Sequence, residues 1–161
     1  MSDGGEQPMA KEHSYTLDLE WRGDHTRTYE GYTRDHTIRI AGKPDIIATA
    51  DPQFRGDATL HNPEDLLLAA LSGCHLLTYL ALCARARIIV TSYRDKATGT
   101  LLLTSDGGGH FTEVVLHPEV TVAEADMLAK AQELHAAAHK YCFIAQSVNF
   151  PVRCMAVVQV G

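Results

Sequence analysis

The chain has 161 residues, 45% hydrophobic and 21% charged, a composition typical of one globular domain that can bury a core. Its formal net charge of −6, without any lysine- or arginine-rich run, disfavours binding to nucleic acid or to an anionic membrane. Residues 1–13 are polar and lack the apolar stretch of a secretory signal. They are predicted to form a disordered tail before a single domain, residues 14–161, of a cytoplasmic protein.

The first part of this domain is predicted to be a β-sheet. Polar and apolar residues alternate over residues 14–21 and again over residues 28–32. The intervening turn at residues 22–24 would make these two segments a β-hairpin, and residues 36–40 would extend the sheet. A turn at residues 42–44 then leads to a loop over residues 49–60, where no periodicity is evident.

A long helix is predicted from Asn62 to about Ala86. Asn62 can cap its first turn, Pro63 suits the first helical position, and two acidic residues follow there. Leucine and alanine occur on all sides, so the helix should be buried nearly all round. In a domain this small, complete burial suggests a second copy of the chain, and we expect a homodimer packed through this helix.

The second half of the chain alternates strands and helices. Strands are predicted over residues 88–93, 100–104 and 110–122, with a glycine turn before the last. Thr121 and Glu124 have the spacing of a capping box that opens a second helix, ending near Lys140. A helical turn over residues 142–147 and a final strand over residues 150–160 complete an α+β fold, an antiparallel sheet with a long central helix.

Four cysteines are candidates for chemistry. Cys74 follows Gly73 in the long helix, where a glycine suggests close approach of another group to the backbone, although a buried thiol is often only a small apolar filler. Cys142 lies between two helical segments, where a helix N-terminus favours the thiolate and the chain can move. Cys83 falls on the opposite helical face from Cys74, and Cys154 is predicted to belong to the core.

The histidines leave a metal site open as an alternative. His135 and His139 are four residues apart on the second helix, and Cys142 follows three residues later, so zinc ligation by these three is conceivable. Such pairs are also common on helix surfaces. His75 points roughly 100° away from Cys74 on a helix and is interpreted as a core histidine with satisfied hydrogen bonds.

Three segments resemble one known family, the osmotically inducible and organic hydroperoxide resistance proteins, OsmC/Ohr. They begin at Asn62, Leu71 and Cys142 and read NPEDLL, LSGCH and CFIAQS. The resemblance implies an intertwined α+β homodimer with two active sites at the subunit interface. It also implies a thiol peroxidase for oxidative stress defence, needing no metal, flavin or haem cofactor.

The same resemblance implies roles for particular residues. Cys74 would attack a hydroperoxide, and Cys142 would resolve the resulting sulfenic acid as a disulfide, which a dithiol such as that of a lipoylated protein would reduce. Glu64 would orient an arginine that stabilises the Cys74 thiolate. Arg34 is the first choice for that arginine and Arg55 the second, followed by two more in the same region, Arg22 and Arg27; each could instead be a solvated surface charge.

Two other function classes stay open. The chain could be a small-molecule-binding protein that keeps the fold without the chemistry, or a metal-binding protein that uses His135, His139 and Cys142. His75 after the first cysteine and Phe143 after the second depart from the well-known family pattern. These departures leave the preference between organic hydroperoxides and hydrogen peroxide open.

Overall fold

The structure, a computed structural model, describes residues 11–161, so most of the predicted N-terminal tail lies outside the described residues. The chain divides into two units, Met1–Pro63 and Glu64–Gly161. Both contain β-sheet and the second contains two helices, which agrees with the predicted α+β class.

The first unit contains a three-stranded antiparallel sheet: β1 (Asp18–Trp21), β2 (His36–Arg39) and β3 (Ile46–Ala48). The strand β1 pairs with β2, in a register that places Leu19 opposite Ile38. The predicted hairpin between residues 14–21 and 28–32 is therefore wrong, although residues 36–40 do extend the sheet.

The connection between β1 and β2 is held by aromatic packing instead of strand pairing. The Trp21 indole donates a hydrogen bond to the Thr33 carbonyl at 2.7 Å, and its ring meets the edge of Tyr32. Tyr29 packs edge-on against Tyr32 in turn. The apolar positions that gave residues 28–32 their strand-like alternation are therefore explained by ring packing in a loop.

The long helix α1 spans Pro63–Arg85, beginning and ending within one residue of the prediction. After α1 the chain turns at Arg87, which has a left-handed backbone (φ 60°). The Ile88 amide donates a hydrogen bond back to the Cys83 carbonyl. By length and composition alone α1 could cross a membrane, a property shared by core helices of soluble proteins, and 22% of its apolar window is buried.

Only one face of α1 is buried within the single chain. The four buried residues recur every fourth position: Leu71, His75, Tyr79 and Cys83. On the other side, Leu77 is 69% exposed. The prediction of burial nearly all round therefore does not hold for one chain, because the sheets and the second helix cover a single stripe of α1.

The second unit holds two three-stranded mixed sheets and the helix α2 (Leu128–Tyr141). In one sheet, antiparallel strands β4 and β7 are joined by β9 parallel to β7; in the other, antiparallel β5 and β6 are joined by β8 parallel to β6. The strands are β4 (Val90–Asp95), β5 (Thr98–Leu103), β6 (Gly109–Leu116), β7 (Pro118–Val122), β8 (Val152–Cys154) and β9 (Val157–Val160).

Several predicted boundaries in this unit are wrong. The predicted strands 110–122 and 150–160 are each two strands, and the pairing is partly parallel. Thr121 does not cap α2, because it is paired within β7; a short 3-10 turn, Ala125–Met127, precedes the helix. The predicted antiparallel sheet is thus two smaller mixed ones.

Two apolar clusters hold α1 on this unit. Leu71 packs with Val114, Leu116 and Val152 of β6 and β8. Tyr79 and Cys83 pack with residues of β7 and α2: Val120, Val122, Ala131, Leu134 and Ala138. The opposite side of α1, which carries Cys74, is left facing outward.

Candidate active site

Cys74 and Cys142 are brought together by the second unit. Cys74 is half-buried in the middle of α1, whereas Cys142 is 1% exposed and follows directly after the last residue of α2. Both are free thiols, and they lie close enough for Cys74 to raise the pKa of Cys142. Two thiols in contact have the proximity needed to exchange between reduced and disulfide-bonded forms.

The environment of Cys142 keeps its thiol protonated. Burial is the largest effect and raises the pKa of Cys142, and the neighbouring Cys74 raises it further. The backbone amides of Ile144 and Ala145 act in the opposite direction, the latter donating to the sulfur at 3.5 Å. The amides of the helical turn after Cys142 do favour its thiolate, as predicted, but burial outweighs them, and Cys142 also caps the C-terminus of α2.

An apolar groove of about 970 Å³ opens in front of Cys74. It follows the outward side of α1, past Gly73 and Leu77, to Arg85 in the last turn. Tyr141 and Phe143, the two neighbours of Cys142 in sequence, line it as well, and the Phe143 ring is 81% exposed. A thiol facing an apolar groove can meet an organic molecule in an environment of low polarity.

The backbone at Gly73 is open to this groove. A Cβ placed there would meet no atom within 4 Å. The prediction that another group approaches this glycine closely is therefore not met by any described residue of the single chain. Close approach would require a ligand or a second chain.

Glu64 does not reach Cys74 along α1. The helix is unbroken between them, and ten residues of α-helix rise about 15 Å. Glu64 is half-buried in the first turn. Any cooperation between this carboxylate and Cys74 of the same chain therefore needs an intermediary, as the sequence spacing predicts.

The candidate arginines lie in the first unit. The Arg34 guanidinium lies over the rings of Tyr32 and Tyr29, 3.9 Å and 4.7 Å from their centroids, and donates to the backbone carbonyls of both residues. Arg34 is half-buried and fixed by these contacts, so it is not a freely solvated charge. Arg55 is exposed and forms an ion pair with Glu30 at 3.7 Å.

The two further arginines have less distinctive settings. Arg22 forms an ion pair with Glu20 at 2.5 Å, with the arginine side chain 83% exposed. Arg27 is exposed. Neither is held by an aromatic arrangement like that of Arg34.

A second polar cluster lies behind α1, on its buried face. His75 Nε2 and His135 Nδ1 are 3.0 Å apart, and Cys154 Sγ lies 3.6 Å and 3.9 Å from these nitrogens. Burial lowers the pKa of both histidines to about 4, so both imidazoles are neutral at neutral pH. His75 is a buried histidine with a hydrogen-bond partner, as predicted. The alternative zinc set of His135, His139 and Cys142 is not formed, because His135 faces His75 and Cys154 instead.

The fold and the paired thiols together define a class of protein: an α+β protein whose long helix presents a cysteine to an apolar groove, in contact with a second, buried cysteine. A family model described as OsmC-like protein matches residues 56–155, which include both cysteines. The chain belongs to the OsmC-like family. No sequence among functionally curated proteins matches it.

Solved structures agree with this assignment. An OsmC-like protein of unknown function from Vibrio cholerae is 31% identical, with a TM-score of 0.81 over 91% of this chain and 100% of its own. The organic hydroperoxide resistance protein OhrB of Bacillus subtilis is 23% identical (TM-score 0.59; 89% and 98% covered). An organic hydroperoxide resistance protein from Elizabethkingia anophelis is 18% identical (TM-score 0.65; 94% and 100% covered). The last two likenesses show a shared fold.

Proposed function

We propose that this protein is a thiol peroxidase that reduces organic hydroperoxides in oxidative stress defence. The observation that carries the proposal is the contact between Cys74, which lines the apolar groove, and the buried Cys142. The hydroperoxide resistance proteins of the same fold support the substrate class. The groove should favour organic peroxides over hydrogen peroxide, because apolar substituents gain from leaving water.

The first step is attack by the Cys74 thiolate on the distal oxygen of the hydroperoxide. The O–O bond breaks, an S–O bond forms, and the alkoxide takes a proton to leave as an alcohol. Cys74 is then a sulfenic acid, oxidised by two electrons. The groove holds the organic part of the substrate beside this sulfur.

The second step joins the two sulfurs. Cys142 loses its proton and attacks the Cys74 sulfur, forming a disulfide and releasing the sulfenic oxygen as water. An external dithiol, such as that of a lipoylated protein, then reduces the disulfide by thiol–disulfide exchange and becomes a disulfide itself. Because Cys142 is buried and protonated at rest, it does not compete with Cys74 for peroxide.

Arg34 is proposed as the arginine that stabilises the Cys74 thiolate, with Glu64 orienting it and Arg55 as the second candidate. Arg34 is favoured because its guanidinium is already held by two rings and two carbonyls, so little side-chain freedom remains to be lost. Arg34→Gln should slow alkylation of Cys74 by iodoacetamide at pH 7 about tenfold or more, whereas Arg22→Gln should not. If Arg55→Gln slows this alkylation and Arg34→Gln does not, Arg55 is the residue that stabilises the thiolate.

The active form is proposed to be a homodimer in which the partner covers the outward face of α1. That face exposes Leu77 and Phe143 in the apolar groove and leaves the Gly73 backbone open. Leu77→Asp should convert the protein to monomers in sedimentation velocity, because a carboxylate would be buried at the contact. Ala136→Asp, at an exposed position of α2, is the matched control; a wild-type monomer at micromolar concentration would refute the dimer.

The peroxidase cycle is tested by the intact mass after one equivalent of cumene hydroperoxide. The wild-type protein should lose two hydrogen atoms, and digestion should recover a Cys74–Cys142 link. Cys142→Ser should instead gain one oxygen atom, trapped by dimedone on Cys74, and Cys74→Ser should remain unchanged. An unchanged wild-type mass would refute the peroxidase and favour the second candidate, a protein that uses the apolar groove to bind a small molecule.

A further inference from the structure

The cluster formed by His75, His135 and Cys154 is not used by the proposed peroxidase cycle. Its three side chains come from α1, α2 and β8, and they bring their potential ligand atoms close together. The two histidines are 1% and 4% exposed, and the cysteine is half-buried. All three donor atoms lie within 4.8 Å of one another.

We propose that His75 Nε2, His135 Nδ1 and Cys154 Sγ form a binding site for a thiophilic transition-metal ion, with Zn²⁺ as the expected occupant. Imidazole nitrogen with thiolate sulfur is a donor set that Zn²⁺ favours and Mg²⁺ and Ca²⁺ do not. Three protein ligands would leave a fourth position for water or another small ligand. The proposal is independent of the peroxidase cycle.

The distances fit such an ion with little rearrangement. With Zn–N bonds of about 2.0–2.1 Å and a Zn–S bond of about 2.3 Å, tetrahedral geometry separates two nitrogens by about 3.3 Å and a nitrogen from the sulfur by about 3.6 Å. The corresponding separations are 3.0 Å between the nitrogens and 3.6 Å and 3.9 Å to the sulfur. Each donor therefore needs to move by only a few tenths of an ångström.

The imidazole–imidazole hydrogen bond satisfies one pair of nitrogens in this cluster. A neutral imidazole has one donor and one acceptor nitrogen, so the two facing nitrogens share a single proton. The other nitrogen of His135, Nε2, is buried without a hydrogen-bond partner. A cation can be ligated by all three facing atoms at once, whereas one imidazole–imidazole hydrogen bond joins only two of them.

The charge balance also suits a divalent ion. Binding exchanges the Cys154 proton for the metal: the S–H bond breaks, an S–Zn bond forms, and the proton leaves to the buffer with no change of oxidation state. Asp95 acts electrostatically on both His75 and Cys154 from nearby. Its carboxylate is held there by Ser72 Oγ at 2.5 Å and the His117 amide at 2.7 Å. Together the thiolate and this carboxylate offset the two positive charges of the ion.

The test is titration of the metal-free full-length protein with Co²⁺ and then Zn²⁺. One equivalent of Co²⁺ should give the intense visible bands of tetrahedral coordination and a thiolate-to-cobalt charge-transfer band, and one equivalent of Zn²⁺ should remove both. Zn²⁺ affinity is measured by competition with a chromophoric chelator. Cys154→Ser should abolish the charge-transfer band and lower Zn²⁺ affinity by about 100-fold or more.

Controls separate this site from the other thiols. Two variants should keep both the Co²⁺ bands and the Zn²⁺ affinity. One carries Cys74→Ser together with Cys142→Ser, and the other carries Cys83→Ser alone. His135→Gln should lose affinity as Cys154→Ser does, while His139→Gln should not; circular dichroism confirms that each variant is folded. Absence of tetrahedral Co²⁺ bands in wild type, or bands that survive both Cys154→Ser and His135→Gln, would overturn the proposal.

Discussion

The two faces of α1 place cysteines in opposite surroundings. Cys74, on the outward face, lines an apolar groove and contacts a second thiol. Cys83, nine residues later on the inward face, is 1% exposed and has a pKa raised chiefly by burial. The comparison teaches that the tertiary environment of each face, more than the local sequence of one helix, decides which thiol can meet a substrate.

The largest expected difference between the faces is in activity. Cys74→Ser should lower the rate of cumene hydroperoxide consumption with a dithiol reductant about a thousandfold or more, because the nucleophile is lost. Cys83→Ser, the matched change on the inward face, should leave the rate within about twofold. Equal losses from the two variants, in folded protein, would contradict the assignment of the outward face as the reactive one.

Leu71 and Leu77, one leucine from each face of α1, allow the contribution of the two faces to stability to be compared. Leu71→Ala, at a fully buried position, should lower the free energy of unfolding by about 2–5 kcal/mol at any protein concentration. Leu77→Ala, at a position that is 69% exposed in the single chain, should act mainly by weakening association. Urea unfolding at two protein concentrations measures both effects. A concentration-independent loss of the same size at Leu77 would show that it belongs to the subunit core.

The pH dependence of the disulfide step tests the burial of Cys142. Because burial raises the pKa of Cys142, only a small thiolate fraction is present at neutral pH, and that fraction increases as pH rises. The rate of disulfide formation, followed by acid-quenched mass spectrometry after one peroxide equivalent, should rise about tenfold per pH unit from pH 6 to 8. A rate that is flat over this range would mean that Cys142 is ionised at rest.

The smallest expected effect concerns the inward face alone. Tyr79 is buried, and its hydroxyl donates to the Ala131 carbonyl at 3.1 Å, which joins α1 to α2. Tyr79→Phe should therefore lower the free energy of unfolding by about 1 kcal/mol and leave peroxide consumption unchanged. Tyr15→Phe, at a ring that is 91% exposed, is the control. A clear loss of peroxide consumption in folded Tyr79→Phe protein would connect this face to the reaction.

Local signals in the sequence were enough to predict α1, and non-local pairing explains the main errors. Pro63 and the acidic residues after it define the helix start from neighbours in sequence alone. Thr121 with Glu124 has an equally valid capping pattern, but pairing with β4 keeps Thr121 in a strand. Residues 28–32 alternate as a strand does, yet their tyrosines pack against Trp21 and Arg34.

The candidate site could be predicted only in part. The two cysteines follow from the family resemblance, but the groove does not, since α1 is apolar on all sides and its sequence cannot say which side stays uncovered. The cluster behind α1 joins residues 60 and 79 positions apart in the chain, beyond the reach of any spacing argument. One signal was present: His75 falls on the four-residue repeat of Leu71 and Tyr79, which marks the buried face.

The parallel pairing of β8 and β9 has a consequence for how the polypeptide acquires its structure. Each C-terminal strand completes a sheet whose other strands come much earlier: Gln159 pairs opposite Thr121, 38 residues before it, and β8 returns similarly to β6. Neither sheet can be finished during synthesis until its strand from residues 152–160 has left the ribosome. Such late, long-range closure slows folding, so a nascent chain stalled before residue 152 would carry two open sheet edges and be prone to aggregation.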